Sequence, residues 1–556
     1  MKKIYKSGII LVALLFAGIT ACDDKLTDLN KNPNAINLED GNVNLLMPAV
    51  LGPAASNYLN LGVNNMAGAM QHTQKSGWSG GHNTYDWLGS EWTGYYDILR
   101  TNNLMIENAR TGGFVFHEAV GLTMRAFVFG QIADYWGDAP YFDALQGDKG
   151  DEFRTPKFDS QESIYDGVIS DLKTAAELFA SNDDTGITAA ADLYFGGDMS
   201  AWEKFANSLI IRYSVRISEK KSAEAKANVE QIVASGRFIS SFEDDATMDY
   251  TGGSNDQWPI QYDNETSSTR YQACETLISR LAATSDPRLN VWFEPVQVRW
   301  VEDAGVSGAS DMMLIDGVES EIWPNWIDYR GTTETYTRLF NPADVSFDTR
   351  EYIGIEAGIT EDLVRAYNGN PNPGQGRHNI HVSMMTETFM DGKAAPGDML
   401  ASRLVSAAEM HFSLAEMALV NGWSVGDAET HYQEGIRNSL AVWGVADAYD
   451  TFISEVPYDG TQEQILTQKW IASFTSATES WNDYKRTGIP NLSVGGGAAA
   501  PVPAIRFGYG GDEYANNTDN INTAIESLEA TAYSGAIGKD SQYSKQWLLQ
   551  GTGNPW

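Results

Sequence analysis

A chain of 556 residues with 74 acidic and 38 basic side chains carries a formal charge of −36. Such a surface repels phosphate backbones, and no lysine/arginine cluster offers a local exception, so nucleic acid is excluded as a partner. Two cysteines, Cys22 and Cys274, cannot supply a disulfide framework, and with 42% hydrophobic residues a chain of this length can bury a large core without one.

At the N-terminus, Lys2, Lys3 and Lys6 precede an uncharged run from Gly8 to Thr20. That run falls short of the roughly 20 residues that span a bilayer core and reads as the apolar segment of a signal peptide. It ends in Ile19-Thr20-Ala21-Cys22, which resembles a bacterial lipobox, so Cys22 is the expected site of lipidation. Several acyl chains at about 0.8 kcal/mol per buried CH₂ would make a durable anchor. The alternative is a soluble periplasmic protein in which Cys22 is incidental. Asp23, Asp24 and Asp28 resemble the acidic tether that sends Bacteroidetes lipoproteins to the cell surface. The expected division is a signal peptide over 1–21, a lipidated tether over 22–45, and one globular domain over 46–556. No later apolar stretch approaches membrane-spanning length.

Helical periodicity dominates the chain beyond the tether. Over 115–137, Leu122, Ala126, Phe129, Ala133 and Trp136 share a face, with Gly137 and Pro140 as the stop. Over 200–217, Ser200 and Glu203 have the spacing of a capping box. Trp202, Phe205, Leu209 and Tyr213 make its buried stripe, while Arg212 and Arg216 reach water or pair internally with Asp198. A third pattern, 402–421, carries Leu404, Ala408, His411 and Ala415 and ends at Asn421-Gly422. A fourth, 428–443, comes after Asp427 and carries Tyr432, Ile436, Leu440 and Trp443. A fifth begins at Thr461, with Gln464 as its box partner, and closes at Gly488 and Pro490. Paired helices with short breaks predict a mainly α fold of stacked helical hairpins. Residues 246–345 and 370–398 differ: they are rich in Gly, Asn, Asp, Thr and Trp and lack periodicity. They predict a loop-rich, functional insertion over about 246–398.

Six stretches in order carry a resemblance. They are Asn30-Lys31-Asn32-Pro33-Asn34, MRAFVFGQIADYWGDAPYFDAL (124–145), DLYFGGDMSAWEKFANSLIIRYSVRIS (192–218), TSDPRLNVWFEP (284–295), AEMALVNGWSVGDAETHYQEGIRNSLAVWGV (415–445) and QKWIASFTSATESWNDYKRTGIPNL (468–492). Together, behind a lipobox, they resemble the SusD/RagB family, in its SusD-like outer-membrane lipoprotein branch. The resemblance implies tetratricopeptide-like helix pairs, irregular loops that build a ligand face, and a SusC-type TonB-dependent transporter as partner. It implies capture of an oligosaccharide or, in some members, of a peptide. The matched blocks read as scaffold: Asp138-Ala139-Pro140 as a helix stop, and Trp481, Tyr484 and Arg486-Thr487-Gly488 as helix packing with a C-cap.

Sugars present apolar C–H faces rimmed by hydroxyls, which flat aromatic side chains and Asn, Asp, Gln or Arg recognise. Trp136, Trp202, Trp443 and Trp470 lie on amphipathic helix faces and read as core. Two clusters lie elsewhere. In 76–92, Trp78, Tyr85 and Trp87 stand among glycines; a Gly-rich loop cannot bury them efficiently, so they pack on the scaffold or stay exposed for ligand. In 321–331, Trp323, Trp326 and Tyr329 stand with Asn325, Asp328 and Arg330. These six aromatics are the candidate ligand-binding residues.

No catalytic frame stands out. There is no G-x-S-x-G elbow, and His378 and His381 lack the glutamate of a zinc-helix motif. Cys274 reads as a buried hydrophobe. The acidic loop at 143–152 lacks EF-hand spacing and reads as solvated. No catalytic residue, metal or cofactor is expected. The reading is a surface-exposed, outer-membrane-anchored glycan-binding lipoprotein that is not an enzyme. An oligopeptide-binding protein of the same architecture and a surface glycoside hydrolase are the alternatives.

Overall fold

The computed structural model describes residues 41–77, 79–87, 89–252, 258, 271–320, 333–371, 379–389 and 400–552. Cys22 and its tether, Trp78, and the 321–332 segment with Trp323, Trp326 and Tyr329 lie outside the described residues. The longer helices, in chain order, are α1 (Val43–Val63), α2 (Thr93–Gly112), α3 (Val115–Trp136), α4 (Gln161–Phe179), α5 (Met199–Arg216) and α6 (Ser222–Ser235). They continue as α7 (Glu275–Ala283), α8 (Ala407–Asn421), α9 (Ala428–Val442), α10 (Gln462–Ala472), α11 (Ala477–Thr487) and α12 (Thr518–Ser527). Successive helices pack on one another: α2 on α3, α3 on α4, α4 on α5 and α5 on α6, with α8 packing on both α9 and α10. The architecture is mainly α, a tetratricopeptide-like stack of helical hairpins.

Local sequence explains where the helices begin and end. α3 runs from Val115 to Trp136 and stops at Gly137, whose φ of 95° suits a residue without a Cβ. It lies so close to α5 that a Cβ at Gly130 would collide with the Tyr213 hydroxyl. The α9 cap is Asp427, which accepts from the Thr430 amide, and the α10 cap is Thr461, which accepts from the Gln464 amide. Gly488 closes α11 in the left-handed region. Trp136, Trp202, Trp443 and Trp470 are all buried.

Three expectations are corrected. α5 is capped by Asp198, which accepts from the Ser200 and Ala201 amides, so Ser200 is inside the helix and forms no capping box. Having spent its carboxylate there, Asp198 does not hold the arginines. Arg212 pairs with Glu409 at 2.6 Å, and Arg216 pairs with Asp134 and Glu479. The 402–421 pattern is also two elements. Ser402–Val405 is strand β8, paired with β2 (Ala246–Met248), and Ser406 caps α8 through the Glu409 amide. Asp138 does more than stop α3: its carboxylate accepts from the Gln161 amide at the start of α4 and from Ser527 Oγ on α12.

The insertion is not all loop. β1 (Thr73–Lys75) pairs with β3 (Tyr271–Ala273). β4 (Arg299–Glu302), β5 (Ala309–Ile315), β6 (Val318–Ser320) and β7 (Tyr336–Phe340) form a sheet in the order β4-β7-β5-β6. β4 and β7 run parallel, the other pairs antiparallel.

Candidate functional site

The first aromatic loop folds into the scaffold. Gly80–Thr84 makes one helical turn, after which Tyr85 takes a φ of 57° and turns inward. Tyr85 is 0% and Trp87 is 3% exposed, which removes both from any surface platform. Trp87 sits edge-on to Trp481 at 5.8 Å and to Phe507 at 5.3 Å, and its indole N–H donates to the Gly81 carbonyl at 3.0 Å. Gln542 locks the turn from the tail, accepting from the Trp87 amide and donating to the Tyr85 carbonyl, each at 2.6 Å. The Gly-rich loop has too few apolar atoms to cover these rings, and α11 and the tail supply them. No sequence signal singled out Gln542.

Trp78 is bracketed by residues with fixed partners. The Ser79 amide and hydroxyl both donate to Glu361, whose carboxylate also pairs with Arg365 at 2.7 Å. The 355–371 segment is in turn fastened to the tail: the Gly495 amide donates to the Ala357 carbonyl and the Gly497 amide to the Gly358 carbonyl. Gly358 has a φ of 66°, and a Cβ there would stand 2.8 Å from the Gly495 nitrogen, so the approach requires glycine.

The second aromatic segment springs from the sheet. β6 ends at Ser320 beside Met313, and the chain returns to β7, where Tyr336 lies beside Ile315. The base of this sheet is held by a stack that sequence reasoning missed. Trp300 lies 4.3 Å from Phe347 at 13° and 4.6 Å from His381 at 21°, and the Arg338 guanidinium sits 4.3 Å from its centroid. Arg338 also donates to the Ser310 and Gly369 carbonyls. The Arg338 guanidinium lies 3.2 Å from His381 Nε2 and can only donate, so the ring proton is on Nδ1, which donates to the Val298 carbonyl at 2.7 Å. Burial lowers His381 to about 3, with Arg338 adding to the effect and the Val298 bond opposing it. His381 therefore stays neutral at physiological pH as a stacking element, with both ring nitrogens engaged by Arg338 and the Val298 carbonyl. The unfolded chain takes up this proton first, so stability should fall as pH drops from about 6.5 towards 3. Histidine ring resonances recorded from pH 8 to 5 should show no His381 titration; a midpoint near 6.5 would contradict this placement.

Other reactive groups are occupied by the scaffold. Burial raises the Cys274 thiol to about 12. Thiol alkylation followed by mass spectrometry should therefore leave Cys274 unmodified in native protein and label it after unfolding; rapid native labelling would contradict its burial. Burial also raises Asp245, to about 6, against the nearby Arg403 guanidinium and the Ala407 amide that it caps. Among the described residues no group of three metal-ligating side chains converges.

Among the described residues three hollows bear on ligand size. One between α8, α10 and α11, lined in part by Glu409, Lys469 and Ser480, is about 30 Å³, room for a water or two but not a sugar ring. A second, about 380 Å³ between α4, α5 and α6, has no aromatic side chain in its wall. A third, about 500 Å³ beside Asn42, Asn108 and Gly186, has Phe114 as its one aromatic.

A family model described as starch-binding associating with outer membrane, SusD-like_2, matches residues 33–322 and 334–510. The chain belongs to the SusD-like family. Solved structures agree on the fold of this SusD-like protein. An outer-membrane-assigned protein of Bacteroides vulgatus is 22% identical, with 92% of this chain and 100% of that chain covered at a TM-score of 0.69. A SusD homolog of Bacteroides fragilis is 22% identical, with 91% and 100% covered at 0.67. A chitin-binding protein is also 22% identical, with 91% and 99% covered at 0.65. Among proteins of curated function none matches. The break in the family match, 323–333, contains Trp323, Trp326 and Tyr329. Among the described residues no helix of the SusD-like scaffold is long and apolar enough to cross a membrane.

Proposed function

We propose that this SusD-like protein is a cell-surface lipoprotein, anchored through Cys22, that captures a neutral oligosaccharide and delivers it to a SusC-type TonB-dependent transporter. The carrying observation is the family match, whose description names both starch binding and the outer membrane. The chitin-binding protein of the same fold takes another neutral-backbone polysaccharide, and a charge of −36 disfavours acidic glycans. Its action is binding without bond cleavage. The ligand-gripping rings are Trp78 and the Trp323, Trp326 and Tyr329 group. The latter three occupy the stretch where the chain departs from its family, which is where a ligand preference particular to this protein would be written. Tyr85 and Trp87 are no longer candidates for contact.

Affinity electrophoresis through gels containing starch, glycol chitin or an acidic polysaccharide tests the reading. Retardation by a neutral polysaccharide with no new reducing ends supports it. Binding confined to peptides, or release of reducing ends, would replace it with peptide capture or hydrolysis.

A further inference from the structure

Two histidines that the binding function does not use meet head to head. His411 on α8 and His431 on α9 place their Nδ1 atoms 2.9 Å apart. The opposite nitrogens are both committed to carbonyls: His411 Nε2 lies 3.0 Å from the Ser240 oxygen, and His431 Nε2 lies 2.8 Å from the Val425 oxygen. A carbonyl only accepts, so each Nε2 must carry hydrogen. Two neutral rings have no hydrogen left for Nδ1, and their lone pairs would face each other at contact distance. Three protons on the four nitrogens resolve this: one ring is an imidazolium that donates to its neutral neighbour.

We infer that His411 and His431 form a proton-sharing pair of net charge +1, a clasp that fastens the α8–α9 hairpin to the Ser240 segment and to its own connecting loop at Val425. The nitrogen separation distinguishes this from metal ligation. The Nδ1 atoms are 2.9 Å apart, a hydrogen-bond distance, whereas two nitrogens on one tetrahedral ion would stand roughly 3.3 Å apart. Among the described residues no group of three metal-ligating side chains includes the pair. A Cβ at position 426 would crowd His431 Nε2, so Gly426 gives that nitrogen its approach to the neighbouring carbonyl.

The surrounding charges suit one positive charge. Asp427 and Glu434 of α9 flank the pair, and each interacts with it electrostatically. From α8, Glu409 is turned away to Arg212. From α6, Glu230 accepts the Ser424 amide at 2.6 Å, and Arg437 is drawn to Glu434 at 3.3 Å. His411 is 7% exposed and His431 half-buried, so the deeper ring is the neutral acceptor and the shallower one the donor. Burial, the strongest influence on His411, lowers its affinity for a proton in the same sense. The clasp holds only while the pair keeps its single extra proton. Losing it exposes the lone pairs to each other, and gaining another sets two imidazolium N–H groups face to face.

Long-range ¹H–¹⁵N spectra of the full chain, labelled at its 7 histidines, test this without any substitution. At neutral pH one pair of rings should show both Nε2 atoms protonated and one proton shared between the Nδ1 atoms. His411→Gln and His431→Gln assign the signals, and each should abolish the shared proton. Addition of equimolar Zn²⁺ should leave it in place. A bare Nε2 on either ring, two Nδ1 atoms with no proton between them, or displacement of the proton by zinc would overturn the inference.

Discussion

Replacing Trp323 and Trp326 together with alanine is expected to weaken oligosaccharide binding by about 100-fold or more. A stacked aromatic at the centre of a contact is typically worth about 2 kcal/mol or more on truncation, and about 1.4 kcal/mol is tenfold in affinity. A sugar's C–H face has no hydrogen bonds to substitute for a lost ring. The unfolding midpoint of the double variant, measured beside wild type, separates a lost contact with ligand from a loss of folding. Truncating Trp78 should add a smaller loss. Calorimetric titration measures the loss directly. A double variant that binds glycan within about threefold of wild type would place the rings outside the site. One that lost glycan but kept a peptide ligand would show that backbone-directed polar groups, not rings, hold the peptide.

The second large effect concerns stability. Glu479→Ala should cost about 3–5 kcal/mol, because it strips the partner from buried guanidiniums. Arg212 lies 3.5 Å and Arg216 closer still to the Glu479 carboxylate, and Tyr58 donates to it at 3.2 Å. The network extends from Arg212 to Glu409 and from Arg216 to Asp134, joining α3, α5, α8 and α11. Burial alone would raise the Glu479 carboxyl; the Arg212 and Arg216 guanidiniums and the Lys469 ammonium outweigh it and hold it below its usual value. A folded pKa depressed in this way stabilises the fold above the unfolded value of 4.5 and ceases to do so as pH falls through the folded value. Urea denaturation of wild type and variant at pH 7 gives the difference. A loss under about 1 kcal/mol would mean that the arginines find other partners.

The helical body was legible in the sequence because burial leaves a periodic mark. Val115–Trp136 reads directly from its apolar spacing, and Asp427, Thr461 and Gly488 mark helix ends through their own chemistry. Errors arose where two local signals competed. Ser200 and Glu203 mimic a capping box, yet Asp198, two residues earlier, presents the better acceptor. Leu404 continues a helical stripe in register but belongs to β8, because the partner strand 246–248 is distant in sequence. The ligand face was least legible. Glycines around Tyr85 and Trp87 left packing and exposure both open, because the cover comes from Trp481, Phe507 and Gln542, about four hundred residues away. The Trp300 stack escaped notice for the same reason, since Arg338, Phe347 and His381 meet only through the tertiary fold.

Backbone hydrogen exchange with and without a bound neutral oligosaccharide, read by mass spectrometry, tests most directly where this protein holds its ligand. Protection should concentrate in peptides covering Trp78 and 321–332, leaving α4–α6 unchanged. Protection confined to the α4–α6 hollow, with the tryptophan segments exchanging as in the free protein, would contradict a loop-borne aromatic site on a helical frame.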